Sequence, residues 1–144
     1  MIYQSTSVEQ TEAIAAELAA RLVGGEVIAM QGDLGAGKTQ FVRGLVRGLG
    51  GEPRSVSSPT FVLLNVYDGG RLTVFHLDAY RIGGADDFEA IGFAELLEQG
   101  GVVAVEWPER VEALLPARLL RVRIVATDES VRQIEIEVPD QDLR

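Results

Sequence analysis

Apolar residues recur along this chain with two different periods, and stretches of the two alternate. Ile14, Ala15, Leu18, Ala19, Leu22 and Val23 return every three or four positions, the spacing of one helix face. A capping-box pattern opens this stretch, Thr6 with Glu9 or Ser7 with Gln10, and Gly24-Gly25 closes it. Glu26-Val27-Ile28-Ala29-Met30 is a short apolar run, as for a strand buried on both faces. Phe41, Val42, Leu45, Val46 and Leu49 then resume helical spacing up to Gly50-Gly51. Gly44 and Gly48 lie inside this second helix, each at a cost of about 1 kcal/mol against Ala. They predict close packing against a neighbouring element.

Beyond a Ser- and Pro-rich loop, Thr60 to Tyr67 and Leu72 to Leu77 read as strands joined by the hairpin turn Asp68-Gly69-Gly70. Gly83-Gly84 opens a segment with apolar positions at Phe88, Ile91, Phe93, Leu96 and Leu97, its acids forming a solvated face. Val102 to Val105 is another buried-strand run, and Pro108 suits the start of a short helix to about Leu115, stopped by Pro116. Leu120, Val122 and Ile124 alternate with Arg121 and Arg123, while Ile134, Ile136 and Val138 alternate with Gln133, Glu135 and Glu137. This is the period of two half-exposed strands in an antiparallel hairpin, whose opposite charges could pair across strands. No chemistry is expected of that hairpin. The pattern predicts an α/β fold: a mixed sheet flanked by helices, with a C-terminal antiparallel hairpin, and the loop motif described next makes it P-loop NTPase-like. Residues 1–144 are expected to form one domain.

The junction between the first apolar strand and the second helix carries the candidate chemistry. Gly32-Asp33-Leu34-Gly35-Ala36-Gly37-Lys38-Thr39 fits the P-loop pattern of Gly, four residues, then Gly-Lys-Ser/Thr. Glycines let backbone N–H groups crowd round a phosphate chain, and a helix N-terminus behind them favours negative charge. Lys38 would reach the β- and γ-phosphates and the Thr39 hydroxyl would hold Mg²⁺. Lys38 is also the only lysine; the other twelve basic residues are arginine. The first turn of the first helix, besides packing, could lie near a nucleotide base.

Two acids follow buried strands in the way a Walker B carboxylate does. Asp78 ends His76-Leu77-Asp78-Ala79-Tyr80-Arg81, and Glu106 opens Glu106-Trp107-Pro108. Either could bind metal while the other orients water; spacing does not assign them. Thr60 is a third candidate, since a hydroxyl after the P-loop helix can sense γ-phosphate or Mg²⁺. Composition narrows the field further. With no cysteine and one histidine, thiolate metal sites and cysteine nucleophiles are excluded. A net charge of −9 argues against direct strong nucleic-acid binding. No apolar run approaches the about 20 residues of a membrane helix, and no signal-peptide pattern opens the chain, so a cytoplasmic location is expected.

Taken together, the P-loop, Ser58-Pro59-Thr60, His76-Leu77-Asp78-Ala79-Tyr80-Arg81 and Glu106-Trp107-Pro108-Glu109 resemble the TsaE (YjeE) family over most of residues 5 to 116. These are small bacterial ATPases needed for threonylcarbamoyladenosine synthesis on tRNA. The resemblance implies that ATP or ADP contacts Asp33, Gly35, Ala36, Gly37, Lys38, Thr39, Gln40 and Trp107. It implies Mg²⁺ near Thr39, Thr60, Asp78 and Glu106, with Thr60 in a switch-like loop and with Lys38, Asp78 and Glu106 serving catalysis. It also implies partners, TsaD and the TsaB bound to it, and the acidic surface fits work through another protein. Gln40 departs from the family, which often has a second hydroxyl residue there, and Ala79 replaces a usual leucine.

Rival classes leave marks that can be sought. A GTPase motif Asn-Lys-x-Asp is impossible without a second lysine, and no Leu-Ser-Gly-Gly signature is present. A small-molecule P-loop kinase is the main alternative; its arginine-bearing lid would have to lie around Arg110 to Arg118. A nucleotide-sensing module that never hydrolyses ATP is a third class.

Overall fold

The computed structural model of the chain describes residues 1–33, 35–56, 64–81, 92–116 and 119–139. In chain order these form β1 (Ile2–Ser5), α1 (Val8–Ala19), β2 (Val27–Gln31), α2 (Lys38–Gly48), β3 (Leu64–Tyr67), β4 (Val74–Asp78), α3 (Phe93–Glu98), β5 (Val102–Glu106), β6 (Leu120–Ala126) and β7 (Arg132–Glu137). Seven strands make one sheet in the order β1-β7-β6-β2-β5-β4-β3. Its centre is parallel, β4 to β5 to β2 to β6, and β3, β7 and β1 add antiparallel pairs at the two sides. This is the expected mixed sheet of P-loop NTPase-like type, flanked by helices, with β6 and β7 as the C-terminal hairpin.

The central strands are apolar throughout because both faces are covered. Successive side chains point to opposite faces. Ile28 and Met30 join Ala104, Leu120 and Val122 under α1 and α2, while Val27 and Ala29 join Phe75, Leu77, Val103 and Val105 against α3. Residues after the parallel strands therefore gather at one edge, where the chain leaves β2 for α2. In open α/β sheets that crevice is where ligands bind.

The two helical glycines explain how closely α1 and α2 pack. A Cβ on Gly44 would come within 2.4 Å of the Glu12 carbonyl oxygen, and one on Gly48 within 2.7 Å of Ala16 Cα. The capping box forms at Ser7, whose hydroxyl accepts from Gln10 N at 3.0 Å. Gln10 Oε1 accepts in return from Thr6 N at 2.6 Å. At the other end, Arg71 donates to the Leu22 and Ala19 carbonyls, both at 2.9 Å, and closes a helix end that has no basic residue of its own.

Several expectations need correction. The first helix stops at Ala19, so Leu22 is buried but Val23 is 79% exposed rather than on the apolar stripe. Glu26 precedes β2, and its carboxylate accepts from Val23 N and Gly24 N at the turn. The short helix from Pro108 is instead two 3₁₀ turns, Pro108–Arg110 and Glu112–Leu114, because Val111 between them has φ −133°, outside helical space. Arg121 and Arg123 do stand directly opposite Glu137 and Glu135 across β6 and β7, and Arg121 in addition bonds Glu112 in the second of these turns. Strand β1 was not legible: it is four residues long, its Ile2 is exposed, and antiparallel pairing with β7 holds it. The expected strand residues 60–63 and the helical segment from 83 to 91 lie outside the described residues.

Candidate functional site

The turn from β2 into α2 is shaped by glycine. Gly35 has φ 81° and Gly37 φ 117°, a left-handed conformation that disfavours a Cβ, and Gly37 is the N-cap of α2. A Cβ on Gly32 would lie 2.8 Å from the Ile124 carbonyl oxygen on β6. The loop thus lies against the sheet with its backbone N–H groups at a helix start. Asp33 and Gly35 are exposed, Ala36 is buried, and Gly37, Thr39 and Gln40 are half-buried.

Lys38 turns inward. It is only 6% exposed, its Nζ stands 3.6 Å from Glu106 Oε1, and it lies 4.2 Å from the centroid of the Trp107 ring. Both contacts suit an ammonium: a carboxylate offsets its charge and an indole face attracts it. Glu106 is equally buried, and its other oxygen accepts from His76 Nε2 at 2.5 Å. Burial pushes the Glu106 carboxyl up, but its contacts with His76 and with the Lys38 ammonium outweigh it and hold the group below its ordinary range. Glu106 is therefore a carboxylate at neutral pH.

Strand register supplies the second acid. Asp78 and Glu106 are direct partners between β4 and β5, so both carboxylates sit on the face that carries α2. Asp78 Oδ1 accepts from Tyr80 N at 3.0 Å within the 3₁₀ turn that follows. Trp107 has φ 57° and is the only non-glycine residue with positive φ among those described. That conformation costs about 1–3 kcal/mol in a bulky residue. It turns the chain after β5 so that the indole meets both Lys38 and the Tyr80 ring, whose centroid is 5.2 Å away.

Lys38, Glu106, Trp107 and Asp78 are thus brought together at one strand edge. Thr60, with the rest of Ser58-Pro59-Thr60, lies outside the described residues, as does the Arg81 side chain. On the other flank of the loop a cleft of about 240 Å³ opens, lined by Thr6, Ser7, Val8 and Thr11 of the first helix and its lead-in. Gly35, Ala36, Gly37, Gln40, Glu129, Ser130 and Arg132 complete it. The first turn of α1 therefore does border the glycine loop.

Arg132 is the participant that sequence reasoning missed. From the start of β7 its Nε donates to Ala36 O at 3.0 Å and its Nη2 to Gly35 O at 3.4 Å, while Nη1 bonds carbonyls of the β6–β7 turn. The C-terminal hairpin, assigned no chemistry above, straps the glycine loop. Nothing in the local pattern separates this arginine from Arg121 or Arg123, because its partners lie 96 and 97 residues away.

A glycine loop between a parallel strand and a helix, with a buried lysine facing the strand-end carboxylate of Glu106 and Asp78 in register beside it, defines a P-loop NTPase-like α/β protein. The family model described as "Threonylcarbamoyl adenosine biosynthesis protein TsaE" matches residues 5–134. The tRNA threonylcarbamoyladenosine biosynthesis protein TsaE of Bacillus subtilis is 39% identical over 132 residues, covering 92% of this chain and 82% of that protein. The protein of the same name from Treponema pallidum is 43% identical over 112 residues, covering 78% and 82%. The crystal structure of YdiB from Bacillus subtilis matches with a TM-score of 0.79 at 32% identity, covering 96% of this chain and 85% of that one. The chain belongs to the TsaE family.

Proposed function

We propose that the chain binds ATP with Mg²⁺ and hydrolyses it slowly to ADP and phosphate. It does so as an accessory protein required for threonylcarbamoyladenosine modification of tRNA, acting in the cytoplasm through the TsaB–TsaD complex. One observation carries the nucleotide reading: left-handed Gly35 and Gly37 lead into a helix whose first residue, Lys38, is a buried cation facing Glu106. Oriented N–H groups, a helix N-terminus and a lysine together favour a polyphosphate. The adjoining cleft, lined in part by Ser7, Thr11 and Gln40, would take the remainder of the nucleotide.

Hydrolysis moves the γ-phosphoryl group from the leaving ADP oxygen to a water, whose proton needs an acceptor. Glu106 is the acid chosen to orient that water and take its proton, and Lys38 offsets charge on the phosphate oxygens. Thr39, Asp78, Glu106 and Thr60 are the residues that would hold Mg²⁺. When bound, the ion would offset the negative charge that develops on the phosphate oxygens. Among the described residues no three His, Cys, Asp or Glu cluster together. That donor set suits Mg²⁺, which takes one or two carboxylates and completes its shell with water and phosphate.

Fast hydrolysis also needs a further cation on the γ-phosphate, worth about 10³–10⁵ in rate when supplied by a partner. Steady-state ATP hydrolysis by the pure chain is therefore expected to be slow, and to rise when TsaB and TsaD are added. Brisk hydrolysis indifferent to both proteins would overturn the accessory reading. The kinase alternative gains no support from Arg110, which stacks on Tyr80 at 4.8 Å. Arg118 lies outside the described residues.

The Arg132 strap gives a separate expectation. Arg132→Ala frees the Gly35 and Ala36 carbonyls and lets the loop relax. Losing such charge-assisted bonds should weaken ADP binding by about 1–2 kcal/mol. Titration followed by Trp107 fluorescence would read this, with thermal melting as the check on folding. Unchanged affinity would reduce the strap to a bystander.

A further inference from the structure

His76 is the only histidine in the chain and is fully buried, in a strand otherwise built of Val74, Phe75, Leu77 and the terminal Asp78. Its register partner on β5 is Ala104, a small residue, and Glu106 is the next residue of β5 on the same face. The missing bulk at Ala104 leaves the imidazole free to reach diagonally to the Glu106 carboxylate, 2.5 Å from Nε2. A carboxylate only accepts, so Nε2 carries the proton in this contact. Among the described residues Nδ1 is buried without a hydrogen-bond partner, as is Nδ2 of Asn65, the residue opposite on β3.

Glu106 is divided between two donors. Oε2 belongs to His76 and Oε1 faces Lys38 at 3.6 Å. Under the ATPase reading above, on which this inference rests, phosphate oxygens compete with Glu106 for Lys38. Its carboxylate then needs a second anchor to stay aimed at the reacting water.

We propose that His76 is that anchor: a positioning residue that keeps the Glu106 carboxylate in place when Lys38 engages nucleotide. It touches neither nucleotide nor water. Its effect passes through Glu106, as partners behind a liganding or reacting group commonly act.

A lone histidine makes the test direct. In ¹⁵N-labelled full-length chain, the imidazole resonances should report a proton on Nε2, should shift in Glu106→Gln, and should keep that proton when Mg²⁺ and ADP are added. A proton on Nδ1 alone, or resonances indifferent to Glu106→Gln, would overturn the proposal without recourse to activity. Kinetics then separate positioning from mere packing. His76→Leu should lower the turnover of ATP hydrolysis by about 10–100-fold with little change in ATP affinity. His76→Gln, whose side-chain amide can stand in for Nε2–H, should recover most of the loss. Equal loss in both variants, or a loss confined to affinity, would reject the role. If the wild-type chain neither binds nor hydrolyses ATP, the ATPase reading falls by itself. The imidazole spectra would still decide whether His76 holds Glu106.

Discussion

Lys38→Ala is expected to abolish ATP binding while leaving the fold intact. The ammonium is buried against polar and aromatic groups: Glu106 lies 3.6 Å away and the Trp107 ring centroid 4.2 Å. Two effects act in the same direction. A charge pair about 4 Å apart, in the effective dielectric near a protein surface, is worth about 4 kcal/mol, or roughly a thousandfold in Kd. In addition, Glu106 loses a cation and presents its negative charge to incoming phosphates. The carboxylate keeps its bond to His76, so the variant is not left with an unpartnered buried charge. Lys38→Arg should fail to restore binding, because a planar guanidinium does not fit the slot between Glu106 and the indole that a compact ammonium fills. Calorimetry is the suitable measurement, since Trp107 fluorescence will itself respond to loss of the lysine. ATP affinity unchanged in Lys38→Ala would overturn the nucleotide reading altogether.

The parts of this site that were legible in the sequence are those held by local rules. Gly35 and Gly37 were readable because only certain backbone conformations admit the loop, and Asp78 and Glu106 because buried strands end at them. The glycines inside α2 announced a close helix contact, and α1 supplies it. What stayed hidden depends on register and on distant chain. That Asp78 and Glu106 are direct partners follows from how β4 and β5 align, which periodicity does not specify. The left-handed backbone of Trp107 carries no sign in a residue type that rarely adopts it. Arg132 and β1 both depend on β7, far along the chain from the glycine loop and from the N-terminus. Opposite charges across the last hairpin were legible from alternation, and Arg121 and Arg123 do face Glu137 and Glu135; the further bond of Arg121 to Glu112 depends on a turn that alternation does not place.

Under the proposed ATPase reading, the same geometry should separate binding from hydrolysis at Glu106. Glu106→Gln keeps the shape of the side chain and leaves an oxygen to accept from His76, but removes the negative charge. In the wild type that charge both repels phosphates and competes for Lys38 at 3.6 Å. ATP affinity should therefore hold steady or tighten. Turnover should fall by about 10²-fold or more, the range for removing a positioned general base. Asp78→Asn also keeps its acceptor for Tyr80 N. If Asp78 serves the metal, usually through water, its variant should raise the Mg²⁺ concentration needed for half-maximal hydrolysis more than Glu106→Gln does. Single-turnover hydrolysis, with ATP affinity measured by calorimetry across a Mg²⁺ series, distinguishes the two acids. Collapse of ATP binding in Glu106→Gln would make this carboxylate a ligand for the nucleotide complex rather than a group acting on water. Wild-type turnover in both variants would remove both acids from the reaction and leave Lys38 as the only residue of the cluster engaged with ATP.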